Sequence, residues 1–256
     1  MGLTFAHAPL AAGRPSEVNY RIEGPEPLLF LGEFPRRVRA RLGGRTVVDT
    51  RRGRLLHETG MLPVLYVPED DLALDLLQPT THTTHCPFKG RAAYWSVHLG
   101  GRVAENAVWA YPEPIAAASW LRGLRAVCWD AMDAWYDEDE QVHGHLRDPY
   151  HRVDVRPVGE LVRVTVDCRV LAESTRAQVL SETGLPNRYY LPRADVRVEL
   201  GASGTSSVCP YKGHASYWSA AGLDDVAWSY ENPLDDAARV AGDLCFAHAE
   251  VSVEVG

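Results

Sequence analysis

The sequence predicts a mainly β protein with short helices, built as two tandem small domains related by pseudo-symmetry. One stretch occurs twice: residues 86–96 are CPFKGRAAYWS and residues 209–219 are CPYKGHASYWS, identical at eight of eleven positions without a gap. A repeat of this length indicates two copies of one structural unit. Short apolar runs separated by turn residues favour a small mixed or barrel-like β-sheet over βαβ units.

The similarity between the copies extends on both sides of this stretch. An ETG triplet and a Tyr-x-Pro segment precede it, and a Trp-x-Tyr segment with a proline follows it. The matched pairs are Glu58 and Glu182, Tyr66 and Tyr190, Pro68 and Pro192, Trp109 and Trp228, Tyr111 and Tyr230, and Pro114 and Pro233. A residue identical in both copies serves a role that the two domains share.

We expect an N-terminal arm over residues 1–35, a first repeat domain over 36–137, a connector over 138–160 and a second repeat domain over 161–256. In the first domain the patterns predict strands at 37–49 (a hairpin), 54–58, 64–67, 72–77, 92–98, 107–111, 125–129 and 133–137, with a loop at 82–90 and a short helix at 115–121. The second domain repeats this plan. Its first hairpin turns at Asp167-Cys168, and a short helix at 234–240 and a strand at 251–255 follow.

Composition excludes several classes of function. The 256 residues carry a formal net charge of −8 without a basic block, which argues against nucleic acid and anionic membranes as partners. The N-terminus does not have the pattern of a signal peptide, and no window approaches the roughly 18 apolar residues of a membrane span. Five scattered cysteines suggest reduced thiols and a cytoplasmic location.

Five polar positions are identical in both copies and form the candidate site. They are Glu58, Tyr66, Cys86, Lys89 and Tyr94 in the first domain, and Glu182, Tyr190, Cys209, Lys212 and Tyr217 in the second. A thiol becomes a nucleophile when a nearby cation lowers its pKa or a base removes its proton. Lys212 follows Cys209 across a turn, and Glu182 on a preceding strand could orient that lysine. These three residues are therefore a candidate catalytic set for acyl or amidine transfer.

The same residues also have a purely structural interpretation. Free cysteine often packs as a small, inert hydrophobe, and the lysine and glutamate can form an ion pair that fixes the turn. The Tyr-Trp neighbours at 94–95 and 217–218 are expected on opposite faces of a sheet, one in the core and the other lining a cavity, or both in the core.

The second copy has Arg188-Tyr189-Tyr190 where the first has Val64-Leu65-Tyr66. Arginine holds a carboxylate or phosphate through a bidentate fork. We therefore expect any ligand site in the second domain, beside Arg188, and a weaker or vestigial site in the first. A surface ion pair is the alternative role for Arg188.

A metal site is a further alternative in the first domain. His82, His85 and Cys86 are close in sequence and are ligand types that zinc prefers. The second domain has Thr205 and Val208 in place of the two histidines, and the chain has no Cys-x-x-Cys pair. We therefore expect neither a metal nor another cofactor.

The CP[FY]KG and YWS motifs, the segment DPYHRVDV at 148–155 and the segment ETGLPNRYYLPRADV at 182–196 resemble the domain of unknown function 427 family in its two-domain bacterial form. The resemblance covers nearly the whole chain and implies mostly β domains of the Mss4-like or β-tent type. The family has also been labelled a predicted nucleotidyltransferase. That chemistry needs paired carboxylates for Mg²⁺. The acidic run at 137–139 has the spacing but lies in the predicted connector, and the chain has no P-loop.

These features predict a protein that binds a small polar or anionic metabolite beside the CP[FY]KG turn. An enzyme with Cys209 as nucleophile is one alternative, and the nucleotidyltransferase of the family label, which the motifs do not support, is another. The sequence leaves open whether the chain is an enzyme and what its oligomeric state is.

Overall fold

A computed structural model describes residues 2–256, which form two compact units, residues 2–150 and 151–256. Regular structure in both units is mainly β, as the sequence predicts, with short 3-10 helices between strands. Among the described residues, no helix is both long enough and apolar enough to cross a membrane.

The described part of the first unit contains two antiparallel sheets. Its strands are β1 (Leu29–Glu33), β2 (Val38–Leu42), β3 (Arg45–Thr50), β4 (Arg54–Glu58), β5 (Val64–Pro68), β6 (Leu77–Cys86), β7 (Gly90–Leu99), β8 (Arg102–Ala110), β9 (Leu124–Val127), β10 (Ala134–Asp137) and β11 (Glu140–Val142). The larger sheet has the order β1-β4-β5-β9-β8-β7-β6, and the smaller has the order β11-β10-β2-β3. The 3-10 helices are Glu69–Asp71, Leu74–Leu76, Ala116–Leu121 and Trp129–Ala131.

The second unit repeats this plan, except that no strand in residues 151–256 corresponds to β11 and its smaller sheet has three strands instead of four. Its strands are β12 (Val153–Pro157), β13 (Val162–Val166), β14 (Arg169–Ser174), β15 (Gln178–Glu182), β16 (Arg188–Leu191), β17 (Gly201–Cys209), β18 (Gly213–Ala220), β19 (Leu223–Ser229), β20 (Leu244–Phe246) and β21 (Ser252–Val255). The sheet orders are β12-β15-β16-β20-β19-β18-β17 and β14-β13-β21. The 3-10 helices are Arg193–Asp195 and Asp235–Val240. The repeat in sequence is therefore a repeat in topology.

Each larger sheet buries apolar side chains on both faces. One face packs against the smaller sheet, and the other is covered by the longest 3-10 helix of its unit, Ala116–Leu121 or Asp235–Val240. Because side chains alternate along a strand, Trp95 enters the core between the sheets while Tyr94 lies on the helix-covered face. We call the helix-covered face of each larger sheet its outer face. It carries the candidate site.

Two element predictions in the first unit are wrong. Residues 72–77, predicted as a strand, form the helix Leu74–Leu76 and the start of β6, and a single bridge joins Leu72 to Val48. Residues 82–90, predicted as a loop, lie mostly in β6. That strand is at the sheet edge and is largely exposed, so it lacks the alternating apolar pattern of a half-buried strand.

Two segments predicted as irregular also contain strands. Residues 29–33 of the predicted arm form β1, which pairs with β4 at the edge of the larger sheet. The predicted connector contains β11 and β12, and β12 is the edge strand beside β15. Both edge strands are short and have a partner on one side only, so their sequence pattern is weak.

Candidate functional site

The CP[FY]KG motif forms the hairpin turn at the end of the larger sheet. In the second unit Cys209 is the last residue of β17 and lies opposite Gly213, the first residue of β18. The Lys212 amide donates to the Cys209 carbonyl at 3.3 Å, which closes the turn. Cys86 and Gly90 have the same register in the first unit. The predicted equivalence of the two cysteines is therefore confirmed.

Glycine follows the lysine because the backbone at this position has a positive φ and another backbone segment packs closely against it. Gly90 has φ +110°, and a Cβ atom on it would lie 3.2 Å from the carbonyl oxygen of Glu113. Gly213 has φ +99°, with the Asn232 carbonyl oxygen 3.3 Å from the corresponding point. A side chain would be strained on both counts. The glycine lets the next segment pack against the turn and keeps the lysine in place.

Each turn lysine is buried and paired with the glutamate of the ETG triplet. Lys89 Nζ lies 2.5 Å from Glu58 Oε2, and Lys212 Nζ lies 2.6 Å from Glu182 Oε2. All four side chains are 13% exposed or less. Burying an ammonium group costs free energy unless a carboxylate pairs with it. Each glutamate therefore offsets the cost of burying its lysine. The ion pair that the structural interpretation expects is present in both units.

The second unit adds a histidine to this pair. His151 Nε2 lies 3.0 Å from Glu182 Oε1, and the imidazole packs on Tyr211 with ring centroids 4.0 Å apart. An ionised carboxylate only accepts, so Nε2 carries the hydrogen. Burial by itself would raise the pKa of Glu182, but the His151 hydrogen bond and the Lys212 charge outweigh it and lower that pKa to about 2. Glu182 is thus a permanent anion at neutral pH.

Tyr190, Trp228 and Tyr230, which have matched residues in the first unit, lie on the outer face. In the second unit Trp228 Nε1 donates to the Tyr190 hydroxyl at 3.1 Å, and Tyr230 packs close to Tyr190. Trp109 and Tyr66 form the same bond at 3.2 Å in the first unit. Burial raises the pKa of Tyr190 well above its ordinary value, so this hydroxyl stays protonated. Tyr190 and Tyr66 are buried supports of the site.

Tyr217 and Tyr94 lie nearer the surface of the same face. The Tyr217 hydroxyl is 3.0 Å from Ser207 Oγ, and the Tyr94 hydroxyl is 2.9 Å from Thr84 Oγ1. The predicted placement of the Tyr-Trp neighbours on opposite faces is confirmed, since Trp218 packs on the core between the sheets and Tyr217 on the outer-face cluster. These tyrosine hydroxyls are therefore the part of the conserved set that a ligand reaches most easily.

The five cysteines are free thiols in different environments. Cys86 and Cys209 are half-buried on the outer face, Cys128 and Cys168 are exposed, and Cys245 is buried. Burial raises the pKa of Cys245 to about 12, although the positive charges of Arg188 and Lys212 oppose that shift. Cys245 is accordingly inert at neutral pH, while the half-buried thiol of Cys209 is accessible to solvent and reagents.

Arg188 lies on the outer face of the second unit, two residues from Tyr190 on β16. Its guanidinium carbon is 5.8 Å from the centre of the Trp228 ring, at the outer limit of a cation–π contact. Within residues 2–256 it forms no ion pair, so the surface ion pair considered as its alternative role is absent there. The structure thus brings Glu182, Arg188, Tyr190, Cys209, Lys212 and Tyr217 onto one face, while position 64 of the first unit holds valine.

The family described as Domain of unknown function (DUF427) matches residues 31–138 and 154–256. The chain belongs to this family. Each match covers one unit of the structure, so the chain is a tandem pair of DUF427 domains. No curated protein matches the chain in sequence.

The acidic run of the first DUF427 domain faces arginines. Asp137 accepts two hydrogen bonds from Arg36 at 2.7 and 2.8 Å, and Asp139 accepts one from Arg39 at 2.8 Å. Glu138 accepts from the backbone amide of Arg37 at 2.8 Å. These carboxylates do not converge on a shared point. They connect the end of β10 to β2 and to the residues just before β2, which is a structural role.

The histidines considered as zinc ligands in this DUF427 chain are spread over β6. Alternation along the strand puts His85 and Cys86 on opposite faces, while His82 contacts the Tyr94 ring at 4.5 Å between centroids. Among residues 2–256 no three His, Cys, Asp or Glu side chains are grouped as metal ligands.

Sequence reasoning missed His151, Tyr211 and Tyr230 as members of the DUF427 site. His151 lies in the predicted connector and contacts a glutamate 31 residues further along the chain. The one available signal was its place in the DPYHRVDV segment that carries the family resemblance. Tyr211 replaces Phe88 of the first unit, and Tyr230 belongs to the shared Trp-x-Tyr segment.

The low pKa of Glu182 predicts an acid-sensitive second unit. A carboxyl whose pKa falls from 4.5 to about 2 on folding contributes about 3 kcal/mol of stability. Because the folded-state pKa is the lower one, this contribution is complete above about pH 5 and is lost as the pH falls towards 2. Carbon-13 NMR titration of the glutamate carboxyls, with Glu182→Gln to assign the signal, should give a midpoint near 2.

The same variant provides the control on stability. Glu182→Gln should flatten the acid limb of the curve of unfolding free energy against pH. A Glu182 midpoint near 4.5, or parallel curves for the two proteins, would contradict this account of the site.

Proposed function

We propose that the second DUF427 unit binds a small anionic metabolite on its outer face, beside the CP[FY]KG turn. The observation that carries the proposal is Arg188, an exposed guanidinium that forms no ion pair within residues 2–256 and lies over Trp228. Arginine donates to carboxylate and phosphate groups through a planar fork. A cation held beside an aromatic ring without a protein anion favours an anion from solution.

The charges around Arg188 support an anionic ligand. Lys212 is also on this face, but its charge is balanced by Glu182 at 2.6 Å. The excess positive charge therefore belongs to Arg188. The positive charges of Arg188 and Lys212 both oppose the rise in the pKa of the Cys245 thiol, so the two cations lie in the neighbourhood of the same residue.

The remaining groups of the face supply a polar wall. Tyr217 and Ser207 offer a hydroxyl pair that can donate to a ligand oxygen, and the Trp228 ring offers an apolar surface. Polar groups on one side and a ring on the other are typical of sites for small polar metabolites. In the first unit, Val64 occupies the position of Arg188, so the anion site belongs to the second unit.

A matched pair of arginine variants tests the proposal. Small carboxylates and phosphates, each beside its neutral amide or dephosphorylated analogue, are screened by thermal shift against the whole chain. Arg188→Ala should weaken binding of an anionic hit at least about tenfold, because a charge-assisted hydrogen bond contributes about 1.5–3 kcal/mol. Arg197→Ala is the control: Arg197 pairs with Glu173, which keeps Arg163 as a second partner.

The two variants have the same net charge, so a difference between them reports position. An anionic hit whose affinity survives Arg188→Ala unchanged would overturn the proposed site. A hit weakened equally by both variants would show that only the overall charge matters.

A Cys209 nucleophile is the second candidate function. What favours it is the half-buried thiol at the end of β17, on the face that also carries Lys212 and Tyr217. The lysine ammonium is bound to Glu182, so it is not a free base. In this function Cys209, Lys212 and Glu182 have the catalytic roles that the sequence suggests.

Thiol labelling distinguishes the two functions. Iodoacetamide rates are measured for each cysteine by peptide mass spectrometry between pH 6 and pH 9, with exposed Cys168 as the internal standard. A nucleophilic Cys209 should react faster than Cys168 despite its lower exposure, and should keep reacting at pH 6. A binding site without covalent chemistry predicts slower labelling of Cys209 than of Cys168 across the whole range.

A further inference from the structure

The first unit contains an apolar cavity of about 210 Å³, lined mostly by residues of the core between its two sheets, with Val64 of the outer face at its border. Val64, which lines it, is paired with Leu56 just as Arg188 is paired with Leu180. The remaining lining residues are contributed by β4, the loop between β4 and β5, β5, β8, β9, the helix Trp129–Ala131, β10 and the segment after β11. They are Leu55, Leu62, Pro63, Leu65, Trp109, Val127, Trp129, Trp135, Gly144, His145 and Leu146.

Tryptophan rings form the main wall of this cavity. Trp129 and Trp135 are stacked with centroids 4.6 Å apart and planes within 6° of parallel. The Trp135 N–H is satisfied by the Trp129 carbonyl at 2.9 Å, and the Trp109 N–H by Tyr66 at 3.2 Å. Because these two N–H groups already have partners, the Trp109 and Trp135 rings present apolar surface to the cavity.

The rim of the cavity is apolar as well. Leu62 is 43% exposed, and its neighbour Met61 is 52% exposed. No lining residue described is an aspartate, glutamate, lysine or arginine, and His145 Nδ1 lies 2.7 Å from the Leu146 carbonyl oxygen. An ion would lose its hydration here without a charged partner, so the lining selects a neutral ligand.

The equivalent positions of the second unit have a different chemistry. Arg188 stands in place of Val64, His248 in place of Trp129 and Val253 in place of Trp135. The stacked pair and the uncharged lining are therefore features of the first unit alone. The two copies of the fold therefore differ here: the stacked tryptophans border the cavity in the first unit, and the second unit has a cation at the position of Val64.

We propose that the first unit binds a neutral aromatic ligand of about the size of a bicyclic ring in this cavity. An apolar cavity of about 150 Å³ accommodates benzene, so one of 210 Å³ accepts a larger ring. Stacking on Trp129 and burial against Leu55, Leu65 and Val127 supply the attraction. The site is independent of the anion site on the second unit.

Titration of the whole chain with indole tests this site. Calorimetry should show saturable binding to one site, and the indole N–H signals of Trp129 and Trp135, assigned with Trp→Phe variants, should shift in NMR spectra. Indole-3-acetate, which adds a carboxylate to the same ring, should bind at least tenfold more weakly. Absence of saturable indole binding, or equal binding of the anion at this site, would overturn the proposal.

Two substitutions exchange the residues at the equivalent positions 64 and 188, where the units differ. Val64→Arg introduces the second unit's cation at the border of the cavity and should weaken indole binding at least tenfold. Arg188→Val should leave indole binding unchanged while it removes any response to anions, so failure of one site is distinguishable from failure of the other. If Val64→Arg does not fold by circular dichroism, Trp129→His, which removes the stacked ring, replaces it. Unchanged indole affinity in the folded variant would contradict the assignment.

Discussion

The buried glutamate–lysine pair is the interaction on which the site in each unit depends. Lys212 is buried by a tight turn, in which Gly213 allows the Asn232 backbone to pack closely. Glu182 on β15 supplies the negative charge that offsets the cost of this burial. The pair therefore joins the β17–β18 hairpin to the far side of the same sheet, across β16, β20 and β19. The half-buried thiol of Cys209 and the tyrosines of the outer face take their positions from that connection. Replacing only one partner would leave a charge without compensation in the protein interior.

Around this shared frame the two units keep contacts while changing residues. Arg125 on β9 lies 4.2 Å from the Trp95 ring in the first unit, and Arg193, from a different position, lies 4.2 Å from the Trp218 ring in the second. Both units therefore have an arginine over this tryptophan, but the arginine comes from a different sequence position in each unit. Position 64/188, in contrast, changes its chemistry altogether. Contacts that both units keep belong to the shared structural frame. Positions that change in one unit without a compensating change elsewhere are the places where the two units can bind different ligands. This contrast supports one neutral and one anionic site on a single chain.

Much of the fold and part of the site could be predicted from the sequence. The repeat acts as an internal alignment, and it places Cys209 and Lys212 at one turn and pairs Lys212 with Glu182 because both are kept in each copy. Edge strands were missed because β6 and β12 have a neighbour on one side only, so their sequences lack the periodicity of buried strands. His151 was missed for another reason. It approaches Glu182 through the pairing of β12 with β15, and sequence spacing contains no information about that pairing when the strand itself is not predicted.

A double-mutant cycle on Glu182 and Lys212 tests the central claim most directly. Unfolding free energies are measured for the whole chain, Glu182→Gln, Lys212→Met and the double variant, with Glu58→Gln and Lys89→Met as the matched cycle in the first unit. The account predicts that each single variant destabilises its unit by about 3 kcal/mol, and that the double variant is less destabilised than the sum by more than about 1 kcal/mol. Additive effects, within about 0.5 kcal/mol, would show that the two charges are not coupled and that the turn is held by packing alone.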